Sequence, residues 1–495
     1  MAQRHVLSKS TFLRGMQCHK SLYLNKHHRE LRDPIDQSLQ AIFRAGREVG
    51  MLARELFPGG IEARAASPFH GARVAQRTRE LIQGGAEVIY EGAFIHDGVL
   101  AYIDILVRQQ DGWHAFEVKS TGSVKEVHVP DVAIQAHLIQ NSGIDLADFS
   151  LVHLNTQYVR QGDLDVQALF VQQSILDQVS ALAPSIPDLI AEFKAVLTLS
   201  DIPEVPIGLH CTDPYDCDFC GYCWREVPEQ SLLHFKGLKK AERFELFYGG
   251  AAAVEDIPPD YALSDTAAML VESHRQGTPR VDTQAIAELM RSLRFPQYFL
   301  DFETINPAIP LFDHSRPYQQ IPYQYSLYRV DSPEAEPAHS GFLAEAGGDP
   351  RPELLESLLR ETEGEGDIIT YNLSFEKGRL NDLADVFPQH REAIEERVSR
   401  MKDLMTPFRK RQYYAPRMLG SYSIKAVLPA LVPELSYDGM AIADGTAAMI
   451  AFLGLQEETN PEKAEATRNA LWEYCKLDTL AMVRILEKLQ AMHAG

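Results

Sequence analysis

The chain is 495 residues long, 45% apolar and 24% charged, with a formal net charge of −21. That length holds two or three domains with cores of their own, and the composition is that of an ordinary soluble globular protein. The negative balance argues against a surface that grips nucleic acid nonspecifically by counterion release, while leaving room for acidic catalytic sites and local basic channels. With no run of about eighteen apolar residues, no membrane-spanning helix or membrane partner is expected. Met1-Ala2-Gln3-Arg4-His5 lacks the apolar core of a signal peptide, so a cytoplasmic location is expected by default.

In chain order, the first notable residue is Cys18, isolated in Leu13–Lys20. Three segments follow, 87–94, 98–107 and 112–120, which read as successive strands of a meander with Gly and Asp at the turns. Asp104 and Glu117 would meet on that sheet as metal ligands. Lys119 alternates onto the face of Glu117, where an ammonium can orient or acidify an attacking water. The segment 131–139 reads as a helix that presents Gln135. Asp…Glu-x-Lys is a weak signal alone, because charged strand residues usually face solvent.

His210–Trp224 then crowds together Cys211, Cys217, Cys220 and Cys223. In a cytosolic chain this density points to metal rather than disulfides, since neighbouring thiolates repel and oxidise unless a cation holds them. Zinc, with His210 as a further candidate ligand, and a 4Fe–4S cluster both take four such ligands, and the segment alone does not choose between them. Cys18 is a plausible distant partner. Residues 225–290 carry no catalytic pattern and read as a helical connector, broken by Pro258-Pro259 and the polar stretch 273–279.

Tyr298-Phe299-Leu300 is an apolar strand that ends in Asp301-Phe302-Glu303, whose alternation points both carboxylates to one face. Leu311–Ser326, rich in Pro and Tyr, lies between the first two strands and reads either as a substrate-facing loop where bases stack or as edge packing. Asp367–Thr370 is the next strand, and the helix opening after Tyr371-Asn372 carries Glu376. Lys402, Arg409, Lys410, Arg411, Arg417 and Lys425, beside Tyr413 and Tyr414, form a local basic cluster that suits either a nucleic-acid strand or plain solvation. Finally, the helical segment Leu471–Val483 stacks Tyr474 and Asp478 on one face, with Cys475 as a small packing residue. Strand and helix carboxylates together can hold a pair of divalent metals beside a water, as phosphodiester hydrolysis requires.

The order Asp301-x-Glu303, Asn372-x-x-Phe375-Glu376, Tyr474-x-x-x-Asp478 resembles the DEDD exonucleases of the RNase H-like, DnaQ/RNase T class. The tyrosine marks the DEDDy branch. Glu376 departs from that family's aspartate and reaches one methylene further. The resemblance implies that Asp301, Glu303, Glu376 and Asp478 bind two Mg²⁺ or Mn²⁺ ions, that Tyr474 orients or helps deprotonate the water, and that nucleotides are removed 3′→5′. Asp104, Glu117-Val118-Lys119 and Gln135 resemble the RecB-type branch of the PD-(D/E)xK nucleases, in which Gln135 would position the substrate. Some of its members flank the core with one early and three late cysteines that hold a 4Fe–4S cluster. That layout implies Cys18, Cys211, Cys217 and Cys223 as ligands with Cys220 spare, the pair Cys217/Cys220 remaining an alternative and zinc the alternative metal. The family histidine is missing: Gly46-Arg47-Glu48-Val49-Gly50 stands in its place, so that either Glu48 or Glu91 substitutes or that site is weakened.

The expectation is therefore a multidomain α/β chain: a RecB-like domain with an iron–sulfur cluster over 1–228, a helical connector over 229–290 and an RNase H-like exonuclease, a mixed sheet flanked by helices, over 291–495. Its expected activity is metal-dependent hydrolysis of DNA or RNA, with single-stranded ends as partners. The competing expectation is a nucleic-acid-binding or scaffold protein in which one or both sites are inactive.

Overall fold

The computed structural model describes residues 6–64 and 71–494, so the segment Met1–His5 inspected for a leader lies outside the described residues. The chain is mixed α/β and divides into two compact units, Met1–Glu226 with Pro307–Gln319, and Val227–Asn306 with Gln320–Gly495. Among the described residues no helix is long and apolar enough to cross a membrane.

The first unit is built on a seven-stranded sheet. Its strands are β1 (Leu7–Ser8), β2 (Ile61–Glu62), β3 (Val88–His96), β4 (Val99–Gln109), β5 (Gly112–Lys119), β6 (Leu146–Leu154) and β7 (Phe170–Ser174). The meander β3–β4–β5 is antiparallel. Asp97 and Gly98, at φ 43° and 67°, make the β3–β4 turn, the two consecutive positive φ values that a tight hairpin wants. Strand β6 joins β5 in parallel, and a parallel pair needs a crossover, here helix α5. The helices of this unit that matter below are α1 (Lys9–Gln17), α2 (His19–His27), α3 (Gln37–Ala53), α4 (Gly71–Gln83) and α5 (His128–Asn141). With helices over it, β4 is apolar along nearly its whole length, and Val99, Ile103, Ile105 and Leu106 are fully buried.

One detail of register shapes the site. Pairing of β4 with β5 ends at Ile105–Phe116. Beyond it the strands part, and the Val118 amide donates instead to Asp104 Oδ2 at 2.7 Å. Strand β1 takes up the freed edge at Val99 and Leu100, which sets the start of α1 next to the fork.

The second unit contains β8 (Arg280–Val281), β9 (Gln297–Ile305), β10 (Ile321–Val330), β11 (Ala338–Leu343), β12 (Asp367–Thr370), β13 (Met401–Asp403) and β14 (Tyr413–Tyr414). Five of these form a sheet in the order β11-β10-β9-β12-β13, while β8 pairs with β14. The meander β9–β10–β11 is antiparallel, and β12 and β13 extend it in parallel. Helix α6 (Leu373–Val386) leaves β12, and the long helix α7 (Pro461–Ala494) closes the chain. Alternation along β9 divides its side chains between two cores. Tyr298, Leu300 and Phe302 pack with Leu354, Leu380 and Leu383; Phe299 packs with Ala481, Ile485 and Leu489 of α7. Asp301 and Glu303 share the face of Phe299 and so turn toward α7.

The stretch 229–290, expected as a connector, has no core of its own: Leu232, Phe235, Leu270, Val271 and Ile286 bury into the core of the second unit. The segment read as a loop over Leu311–Ser326 also resolves differently. From Ile321 it is strand β10, with Tyr323 and Tyr325 fully buried, so these two rings are not open to bases. Pro307–Gln319 belongs to the first unit. There Tyr318 hydrogen-bonds to the Ser120 carbonyl, and Arg160 donates to Pro310 O at 2.9 Å.

Candidate functional site

In the second unit, three elements deliver the four carboxylates of the exonuclease-like motif. Asp301 and Glu303 come from β9, Glu376 from the first turn of α6, and Asp478 from α7 one turn after Tyr474. Asp301 carries the electrostatic imprint of all three others: burial raises its carboxyl well above the usual range, and the charges of Asp478, Glu303 and Glu376 push it further. Burial first, and then Asp478, lifts Glu303 to about 8, against the opposing pull of Lys425. Glu376 rises to about 8, chiefly through burial and then through Asp403. Burial also raises Asp478, opposed by hydrogen bonds from Tyr437 and Tyr474.

These residues suit a hard divalent cation. Glu376 Oε2 is buried without a hydrogen-bond partner, and despite the pull of Lys425 and Arg379 all four carboxyls stay raised, which a cation among them would reverse. Among the described residues, one set of three ligand-type atoms lies mutually within 4.8 Å: those of Asp301, Glu303 and Cys475. Cys475 therefore sits at the carboxylates rather than simply filling space. Sequence reasoning also passed over Tyr437, which donates to Asp478 Oδ1 from outside any motif. Lys425 was noticed only as part of a basic cluster, yet its charge acts on Glu303 and Asp478. Several members of that cluster are engaged within the unit. Arg409 pairs with Asp403 at 2.9 Å, Arg411 and Arg417 donate to the carbonyls of Gly420 and Pro429, and Tyr413 and Tyr414 are buried.

In the first unit, Asp104 and Glu117 flank the fork between β4 and β5 at the base of a cleft of ≈ 1410 Å³. Two ammonium groups occupy the site. Lys119 Nζ lies 2.8 Å from Glu117 Oε1 and 2.5 Å from Asp131 Oδ2. Lys9 Nζ, from α1, lies 2.6 Å from the same Glu117 oxygen and 3.1 Å from Asp131 Oδ1. Burial works against both lysines, but the two carboxylates outweigh it and hold both pKa values above the ordinary one. Asp131 is held down at about 2: burial alone would raise it, and Lys9 and Lys119 overcome that. Asp104 rises to about 7, through burial and then the charge of Glu117. Lys9 and Asp131 were not singled out from the sequence, since neither sits in a recognisable spacing with Glu117.

Gln135 does not face the cleft. It is fully buried and donates to Asp131 Oδ1 at 3.1 Å, a contact that holds that carboxylate in place. Of the two glutamates considered for the missing histidine, Glu91 lines the cleft and Glu48 does not. Glu91 is tied to Arg64 at 3.1 Å.

Cys18 lies between α1 and α2, capping the second of them. It lines one small cavity with Cys211, Cys217, Cys220, Cys223 and His210. All five cysteines are free thiols. The late cysteines are held against the start of the chain by Asp218, which pairs with Arg14 at 2.5 Å and with Arg32. Cys217 is lowered to about 6, above all by a hydrogen bond with Cys220, while burial raises Cys18 and Cys223. Thus the distant partner and all four clustered cysteines come together, with Cys220 among them.

Residues 298–423 match a family described as a domain of unknown function, DUF2779; this span contains Asp301, Glu303 and Glu376 and ends before Tyr474. The chain is similar to an uncharacterized protein of Ureaplasma parvum, 26% identical over 41% of this chain. It is also similar to uncharacterized proteins of Mycoplasma pneumoniae and Mycoplasma genitalium, each 25% identical, over 39% and 40% of this chain. In each case the match spans 32% of the relative's own length.

Proposed function

We propose that this protein is a divalent-metal-dependent nuclease with a 3′→5′ exonuclease site in its second unit and a RecB-like site in its first. The observation that carries the reading is that ligand atoms of Asp301 and Glu303 on β9 gather within 4.8 Å of one another and of Cys475 on α7, while the charges of Asp478 and Glu376 act on Asp301. The sheet order β11-β10-β9-β12-β13 supports an RNase H-like fold for this unit, and the β4/β5 fork with α5 crossing to β6 supports a PD-(D/E)xK core for the other. The four carboxylates would hold Mg²⁺ or Mn²⁺, which when bound supply Lewis-acid stabilisation of the attacking and leaving oxygens. The protein's own part is to gather the carboxylates, to exclude bulk water by packing α7 over β9, and to place the Tyr474 hydroxyl where it can orient a water.

In the first unit Asp104 and Glu117 would hold a metal, with Lys119 directed at the attacking water. The cysteine group would carry a structural 4Fe–4S cluster. What supports that cluster is that Cys18 and the four later cysteines line one cavity, with zinc as the alternative metal. One observation favours a second reading for the first unit alone: Lys9 and Lys119 already balance Glu117 and Asp131, as suits a nucleic-acid-binding module with a weakened site.

The test is an assay on end-labelled single- and double-stranded DNA and RNA with Mg²⁺ or Mn²⁺, using the wild type, Asp301→Ala and Asp104→Ala. Loss of shortening products from the 3′ end in Asp301→Ala supports the exonuclease site, and loss in Asp104→Ala supports the second one. A wild type that digests no nucleic acid with any divalent metal refutes the enzyme reading.

A further inference from the structure

Cys475 is the residue of the second unit's recess that the proposed reaction leaves unused. It is fully buried on α7, between Tyr474 and the turn that carries Asp478. Its sulfur and one oxygen each of Asp301 and Glu303 lie mutually within 4.8 Å. A transition metal sits about 2.3 Å from sulfur and about 2.1 Å from oxygen, so atoms this close can share one ion after small side-chain shifts. A second observation points to an ion at this spot. Tyr323, from β10, is fully buried and its hydroxyl has no hydrogen-bond partner. That hydroxyl is near enough to Glu303 and Cys475 for their charges to act on it.

We infer that Cys475 is a metal ligand together with Asp301 and Glu303, and that this position takes a transition metal such as Mn²⁺, Fe²⁺, Co²⁺ or Zn²⁺ in preference to Mg²⁺. The inference rests on the carboxylate recess being a metal site and adds the identity of the ion. The physical ground is ligand softness: thiolate favours the softer divalent ions, whereas Mg²⁺ demands oxygen donors and gives up its waters reluctantly. On binding, the S–H bond gives way to a metal–sulfur bond and the proton leaves to solvent, with no change of oxidation state.

The experiment uses the full chain titrated with Co²⁺, whose bond to a thiolate produces a near-ultraviolet charge-transfer band. The wild-type band is compared with those of Cys475→Ser, Cys475→Ala and Asp301→Asn, so that contributions from the other cysteines cancel in the differences. The expected result is a component lost in both Cys475 variants and also in Asp301→Asn, a joint loss that cysteines elsewhere would not produce. By isothermal titration, Cys475→Ala should weaken Mn²⁺ relative to Mg²⁺ by about 10-fold or more. Melting curves establish that the variants are folded. If Asp301→Asn removes Co²⁺ from the recess while both Cys475 variants keep the wild-type spectrum and Mn²⁺/Mg²⁺ ratio, thiol ligation is refuted and the metal site stands. If Asp301→Asn changes neither spectrum nor affinity, the recess binds no metal and both readings fall.

Discussion

The Tyr437 hydroxyl donates a hydrogen bond to Asp478, which lies one turn after Tyr474 on α7. Asp478 is thus held by a phenol from outside its own helix. Tyr437→Phe removes that hydroxyl without opening a cavity. We expect a fold that survives, with divalent-metal affinity and exonuclease rate each reduced about 10-fold. Calorimetric titration with Mn²⁺ and initial rates on an end-labelled strand check this. An unchanged affinity would show that the Tyr437 contact does not matter to the site.

The buried carboxylates of the second unit should make stability depend on pH and, under the proposed reading, on metal. Glu303 and Glu376 titrate near 8 in the folded protein against an ordinary 4.5. The unfolded chain therefore releases these protons first. Their contribution is fully present below about pH 4.5 and is lost as pH rises through about 8. Metal-free protein should melt at least about 5 °C lower at pH 8 than at pH 5, and Glu303→Gln should flatten that slope. Saturating Mn²⁺ should restore the loss, because a ligand bound only by the folded state stabilises it. Differential scanning calorimetry across the range is the measurement.

Lys9 provides the corresponding test in the first unit. Lys9→Met leaves Glu117 and Asp131 with Lys119 as the remaining ammonium in a largely buried setting. Breaking such a network costs about 3 kcal/mol, seen as a lower urea midpoint for the unfolding of this unit. Lys9→Arg, which keeps the charge, should recover part of it. If Lys9→Met left the midpoint unmoved, the ion pairs would be worth nothing net.

The cysteine cavity makes a prediction visible by eye. Protein purified without oxygen should be brown, with absorption near about 400 nm. Cys211→Ser should bleach it and lower the stability of the first unit, since the cysteines join its beginning to its end. A colourless protein with one equivalent of zinc would replace the cluster with a single ion.

What the sequence determined by itself was whatever repeats at short range. Alternation placed Asp301 and Glu303 on one face of β9, and the helical period stacked Tyr474 and Asp478 on α7. The turn residues Asp97 and Gly98 announced the meander that carries Asp104 and Glu117. The tertiary structure alone decided which distant residues join them. Lys9 meets Glu117 because β1 takes the edge of β4 where β5 departs. Tyr437 reaches Asp478 from a segment with no periodic pattern. Tyr323 lies in a segment that reads equally as a base-stacking loop or as packing, and only the fold places it on a buried strand. Residues 229–290 looked like a linker, yet their apolar side chains complete the second unit's core. Local spacing reflects the backbone's own geometry, whereas these contacts depend on which surfaces pack together, and that leaves no periodic trace in a single chain.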